Sequence, residues 1–313
     1  MHIINILVHI TVALVLPPLL QGVIIKTKAA FGGRVGAPFF QPYYDLIKLF
    51  RKDFVISSTT TWVFLAGTVI SLVATILASL ILPFGHDGDV PISFAGDMIL
   101  FVYLFALSRF FMTLTSLDTG SPFEGLGAAR EVTFACLAEP TIFFGLLVLS
   151  LISRSLNLQE IFGPELAQAW NRGAAALPLV LVAWFIVLLA ENSRIPFDDP
   201  NTHLELTMIH EVIILDHGGP LLGMMLYGAA LKLFLFVALV VRVAIPFDTG
   251  FAVLDWVVFI LAVLGLAVLI GVVESTMARL RMTEIPKLLA TACVLSALAI
   301  LLLLGLSPAL TGP

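Results

Sequence analysis

Residues 221–241 read L-L-G-M-M-L-Y-G-A-A-L-K-L-F-L-F-V-A-L-V-V, with a single charge, Lys232, in an otherwise apolar or small run. A helix rises 1.5 Å per residue and needs about 20 such residues to cross the hydrocarbon core of a bilayer. Seven further runs of comparable length lie at 3–25, 62–82, 98–117, 132–152, 174–191, 252–273 and 288–306. The pattern predicts an all-α integral membrane protein of about eight transmembrane helices, organised as a single polytopic membrane domain over 1–313. No internal repeat or low-complexity stretch interrupts it. The first run lacks a basic start and an A-x-A site, so it is expected to stay as a permanent helix, bent at Pro17-Pro18.

Composition agrees. The 313 residues are 60% hydrophobic and 12% charged, with a net charge of −5 and a mean hydropathy of +1.08. Soluble domains carry roughly 25% charged residues, so this chain has too little polar surface to cover a globule in water. The two cysteines, Cys136 and Cys293, sit in apolar runs and form no C-x-x-C pair. An iron–sulfur cluster needs four thiolates, so no cofactor is expected on this chain, and any cluster chemistry belongs to another subunit.

Lys and Arg placement sets the expected orientation. Loops 1, 3, 5 and 7 hold eleven of the 16, whereas loops 2, 4 and 6 and their edges hold three, and Arg109 and Lys232 fall inside spans. The odd loops, including the long segments 26–61 and 192–220, are therefore expected to be cytoplasmic, with both termini outside.

Ionisable groups at membrane depth cost about 2.5–3.5 kcal/mol each on insertion scales and are rarely kept without a partner or a use. Arg109, Glu139 and Lys232 lie within spans, Glu191 closes span five, and Asp255 and Glu274 bracket span seven. Each is either half of a packing ion pair or part of an ion path, except Asp255, which lies near a membrane edge and is expected to be interfacial. Glu139, beside the helix-loosening Pro140, has the chemistry of a relay carboxyl. The densest polar stretch is 190–219, A-E-N-S-R-I-P-F-D-D-P-N-T-H-L-E-L-T-M-I-H-E-V-I-I-L-D-H-G-G. Pro196 and Pro200 break the helix there, Asp198 and Asp199 can cap the next one, Thr202 to Leu215 is predicted as a helix, and Gly218-Gly219 as its stop. His203 and His210 are seven apart and share a helix face, but the spacing is not the i, i+4 of a zinc site. Arg194, Asp198, Glu205, His210 and Glu211 suit proton transfer or partner docking better than metal binding.

Four motifs resemble a known family. Gln41-x-x-Tyr44-Asp45-x-x-Lys48-Leu49 is similar to a first-loop motif of the complex I membrane subunit that joins the peripheral arm to the membrane arm. Leu117-Asp118-Thr119-Gly120-Ser121-Pro122-Phe123, followed by Gly127-x-x-Arg130-Glu131, resembles the counterpart in group 4 energy-converting nickel–iron hydrogenases, including formate hydrogenlyase. Arg130 and Glu139 match an Arg and a Glu of the family nine residues apart, and Glu274-Ser275-Thr276-Met277-Ala278-Arg279-Leu280-Arg281 is again closer to the hydrogenase type. After Pro196-Phe197-Asp198 the chain departs from the family's acidic run, with Asn201, Thr202 and His203 before Glu205.

The resemblance implies a membrane-anchoring, proton (ion) translocation-coupling subunit in a bacterial or archaeal cytoplasmic (inner) membrane. It would hold no metal, while hydrogenase-like large and small subunits carry iron–sulfur clusters and, where retained, a Ni–Fe site. Antiporter-like membrane subunits would receive the coupled signal. It implies an ion-pathway role for Glu139, Arg130, Asp118, Glu191, Arg194, Asp198, Glu205, His210, Glu211, Lys232, Arg109 and Glu274, and partner docking by Gln41, Tyr44, Asp45 and Lys48. The alternative is a quinone-chamber subunit of a complex I-type oxidoreductase, with Phe31, Phe39, Phe40 and Tyr44 lining the chamber. An autonomous transporter is expected to carry internal repeats, which are not seen, and a pure anchor would use the buried charges for packing alone.

Overall fold

The structure is a computed structural model that describes residues 2–85, 90–198, 208–246 and 249–310. Every element among them is a helix. In chain order these are α1 (His2–Phe31), α2 (Gln41–Phe50), α3 (Trp62–Ile81), α4 (Asp97–Asp118), α5 (Pro122–Ser153), α6 (Leu158–Ile161), α7 (Pro164–Asn171), α8 (Ala176–Glu191), α9 (His210–Ile213), α10 (Gly219–Ala244), α11 (Ala252–Thr276) and α12 (Ile285–Leu310). Seven are long and apolar enough to span a membrane, and α8 is a shorter apolar eighth. At 16 residues α8 reaches only about 24 Å. Leu177, Val180, Ala183, Val187 and Leu188 are all 0% exposed while Val182 is 52% exposed, so one face of this helix is packed against its neighbours and the other is open.

The quoted stretch 221–241 lies in the middle of the molecule. α10 packs against α1, α3, α8 and α11, while α12 covers α5 and α8 and α3 pairs closely with α4. From Ala230 to Val243, α10 is almost wholly buried apart from Lys232, which is why it is apolar on every side but for Lys232 and Arg242, the latter donating to the Gly85 and Phe162 carbonyls. The α3–α4 approach is close because Gly67 lies under Thr115 and the Phe111 carbonyl, and because Ser71, Thr75 and Ser108 bond across the helix pair.

Pro18 and Pro83 each leave a carbonyl without its helical amide, and a distant side chain answers each. Pro18 has no N–H to give the Leu14 carbonyl. α1 nevertheless runs on through Pro17-Pro18, and Tyr227 Oη donates to the Leu14 carbonyl at 2.9 Å. The Tyr43 hydroxyl reaches the neighbouring Val15 carbonyl. Pro83 leaves the Ser79 carbonyl free at the end of α3, and His9 Nε2 fills it at 2.9 Å.

Several sequence expectations need correction. α5 begins at Pro122, ten residues before the predicted 132, because a proline fits the first helical turn while Gly125, Gly127, Arg130 and Glu131 dilute the hydropathy. Loop 1 contains α2, and the loop between α5 and α8 contains α6 and α7. The predicted helix Thr202–Leu215 is, within the described residues, the single turn α9. Gly219 opens α10 at φ +52° where a stop is predicted. Asp199, Pro200, Asn201, Thr202, His203 and Glu205 lie outside the described residues.

Candidate functional site

Arg109 projects from α4 into the bundle and is 7% exposed. Its Nη1 donates to Glu139 on α5, its Nη2 donates to Glu191 on α8, and its Nε lies 3.7 Å from Glu131 on α5. Lys232 of α10 completes the group, with Nζ 2.8 Å from Glu191 Oε2. Four membrane helices thus converge on two cations and three carboxylates. Fully ionised, the cluster carries one uncompensated negative charge. The Glu139 side chain is 41% exposed on the lateral surface of α5, whereas Glu131 and Glu191 are enclosed.

A second cluster lies where the ends of α1 and α11 meet the chain leaving α8. Glu274 pairs with Lys28 at 2.8 Å and with Arg194 at 3.4 Å. Arg279 reaches Asp198 Oδ1 at 3.0 Å, and Asp198 Oδ2 accepts the Ile209 N–H at 2.8 Å. Asp198 thereby ties the chain leaving α8 to the residue that precedes α9. A cavity of about 460 Å³ joins the two clusters, and its wall includes Lys28, Arg109, Glu191, Arg194, Asp198, His210, Glu211 and Lys232. Leu72, Phe105, Met112, Met225 and Leu226 form its apolar side, and Ser71, Thr75 and Ser108 add hydroxyls.

Other predicted residues stand apart from the cavity wall. Arg130 donates to the Met208 carbonyl at 2.8 Å. Asp118 accepts from both the amide and the hydroxyl of Thr61, at 2.7 and 2.8 Å, and so fixes the start of α3. Gln41 and Asp45 bond each other along α2 at 2.8 Å, while Tyr44 and Lys48 point outward. Phe31, Phe39, Phe40 and Tyr44 are exposed and do not line the cavity. The predicted aromatic chamber wall is therefore replaced by one built from α3, α4 and α10. Glu131 and Glu124 fall outside the expected site residues because the apolar run 132–152 places the end of loop 3 at 131, whereas α5 starts at Pro122. Extending the α5 stripe backwards from Ala138 through Ala135 would have placed both on the buried face. No group of three or more metal-ligating side chains occurs among the described residues.

His217 sits between α9 and α10, 4% exposed and stacked on Phe64 at 4.3 Å between ring centroids. Neither ring nitrogen has a partner among the described residues. Burial lowers its pKa to about 4, so the folded chain binds a proton there less readily than the unfolded one. The stability it contributes is complete above about pH 6.5 and is lost as pH falls towards 4. Relative to His217→Phe, wild type is expected to lose up to about 3 kcal/mol across that window. Thermal unfolding of both proteins at pH 7.5 and pH 4.5 measures this, and parallel pH profiles would contradict it.

Residues 4–305 match the NADH dehydrogenase family. The chain belongs to that family. Among NADH dehydrogenase relatives it is similar to hydrogenase-4 component C of Escherichia coli (strain K12), 33% identical over 286 residues and 87% of each chain. It is also similar to formate hydrogenlyase subunit 4 of the same strain, 31% identical over 290 residues, 90% of this chain and 92% of that one. A chain in the structure of the membrane-bound sulfane sulfur reductase, an archaeal respiratory membrane complex, shares the fold, with a TM-score of 0.79. It is 22% identical, and the match covers 96% of this chain and 99% of that one.

Proposed function

We propose that this chain, as a single polytopic membrane unit, anchors a hydrogenase-type redox complex in the cytoplasmic membrane and couples its electron transfer to proton or ion movement. The observation that carries the reading is the Arg109 cluster, an odd number of carboxylates set against two cations at membrane depth and open to the basic face through a charged cavity. One bound proton brings such a cluster to neutrality, and burial makes that neutrality matter, because the energy between two charges rises as the dielectric falls. A charge change in a cluster-bearing subunit docked over loops 1, 3 and 5 would act first on Asp198, Arg194, Glu274 and Glu211. From there it would act on Glu191 and Lys232, and last on Glu139, whose exposed edge faces an antiporter-like neighbour. In this reading the basic face is cytoplasmic and both termini lie outside, while the clusters and any Ni–Fe site belong to the hydrogenase-like large and small subunits.

The test is Glu191→Gln in the assembled complex. Ions moved per hydrogen evolved in inverted vesicles are expected to fall at least about fivefold, within the usual size of a coupling term. An unchanged ratio would falsify the assignment. A second reading, a quinone-type occupant, is favoured by the cavity's size and apolar wall, since ligand pockets usually measure about 300–1,000 Å³. Reduction of added quinone, blocked by quinone-site inhibitors and by Phe105→Ala, would select it.

A further inference from the structure

Glu124, the third residue of α5, is 0% exposed and takes no part in the charge cluster. Its Oε1 accepts the Asp216 N–H at 2.9 Å, its Oε2 accepts the Thr119 hydroxyl, and its own carbonyl accepts the Ser116 hydroxyl at 2.9 Å. Thr119 is further tied to the Ser116 carbonyl at 2.8 Å and receives the Ser121 N–H at 3.2 Å. One carboxylate therefore holds the tight α4–α5 turn and, through a backbone bond, the chain entering α10. Beside it, Asp118 holds Thr61 at the start of α3, and His217, next to Asp216, stacks on Phe64 of the same helix. The stretch Leu117–Glu124 thus fastens together the ends of α3, α4, α5 and α10.

Those four ends belong to helices that bear the site. Arg109 is on α4, Glu131 and Glu139 are on α5, Lys232 is on α10, and α3 forms a wall of the cavity. Cluster geometry depends on where α5 and α10 stand about Arg109 and Glu191, and Glu124 ties the start of α5 to the chain entering α10. Hydrogen bonds to an ionised acceptor are about twice as strong as neutral ones, and a buried acceptor that loses its donors costs more than the bond itself.

We infer that Glu124 is a positioning residue for coupling: it carries no ion itself, but clasps the α4–α5 turn to the entry of α10 and so holds the carboxylates of α5 in register with Lys232. This rests on the coupling function proposed above. Glutamine can reproduce both contacts, its carbonyl oxygen accepting from Asp216 and its amide donating to Thr119, whereas leucine can make neither.

The experiment uses the whole complex, isolated through this chain, with two readouts. The first is ions moved per hydrogen evolved; the second is amide exchange across residues 214–219. For Glu124→Leu the ratio is expected to drop at least about fivefold, and the Asp216 amide to exchange at least about fivefold faster as its local opening becomes easier. Glu124→Gln is expected to match wild type in both. A wild-type ratio in Glu124→Leu overturns the inference. So does a Glu124→Gln variant as poor as Glu124→Leu, because the charge itself would then be in use. If Glu124→Leu does not assemble, Thr119→Val, which removes one hydroxyl leg, decides: a lowered ratio with normal complex yield supports the clasp and a wild-type ratio refutes it. If Glu191→Gln leaves coupling intact, the coupling function fails, while the exchange rates still judge the clasp.

Discussion

Arg109→Leu is expected to destabilise the chain by about 3–5 kcal/mol, the usual cost of stripping a buried ionic group of its partner. The cause is what remains behind. Glu139 and Glu191 lose their guanidinium donors, Glu131 loses its nearest cation, and Lys232 alone faces three carboxylates. Removing one acid is expected to hurt far less, because Glu139→Gln or Glu131→Gln leaves two cations facing two carboxylates. Arg109→Leu combined with Glu191→Gln should recover part of the loss, with a coupling of about 0.5–3 kcal/mol between two sites in contact. Thermal unfolding of the detergent-solubilised variants measures all of these. An Arg109→Leu protein as stable as Glu139→Gln would mean that the cluster is hydrated well enough to do without its central cation.

The other large effect is steric. A Cβ on Gly22 would lie 2.0 Å from the Phe39 carbonyl oxygen and 3.0 Å from its carbonyl carbon. Both are backbone atoms, which cannot step aside as a flexible side chain can. Gly22→Ala should therefore push the 32–40 segment off α1, pull α2 with it and lose the contact between Tyr43 and the Val15 carbonyl. Overpacking of this kind costs about 1–3 kcal/mol. Gly265→Ala on α11, where nothing lies within 4 Å, is expected to be neutral or to gain up to about 1 kcal/mol from helix propensity. Limited proteolysis after Arg34 and Lys48, together with thermal unfolding, separates the two. Equal protease resistance in both variants would show that loop 1 does not depend on this approach.

Much of the architecture was legible because hydropathy acts over whole helices. Eight apolar runs became eight apolar helices, with ends displaced by a few residues except at α5. There polar groups sit on an enclosed stripe, and a window average cannot tell an enclosed Glu124 from a solvated one. The charge cluster was half legible. Arg109, Glu139, Glu191 and Lys232 stood out as isolated charges in apolar surroundings, but which pairs meet depends on how helices far apart in sequence pack. Glu131 was hidden next to Arg130, whose guanidinium donates to the Met208 carbonyl. Lys28 and Arg279 enter the sequence pattern only as loop cations, because nothing local says that Glu274 and Asp198 reach them. Asp118 and the Gln41–Asp45 pair carried the family resemblance, and in the structure they make local bonds that shape the loops.

The prolines of α1 and α3 have a consequence for how the chain tolerates change. Within hydrocarbon no water is on hand to satisfy a carbonyl that lost its amide, and the carbonyls freed by Pro18 and Pro83 are filled by distant side chains. Pro18 and Tyr227, far apart in the chain, are therefore one unit of sequence, as are Pro83 and His9. Changing the tyrosine alone strands an acceptor. Changing the proline alone gives the carbonyl back its own helix and leaves a hydroxyl in search of a bond. Only the exchange of both, as in Pro18→Ala with Tyr227→Phe, removes the demand and the supply together.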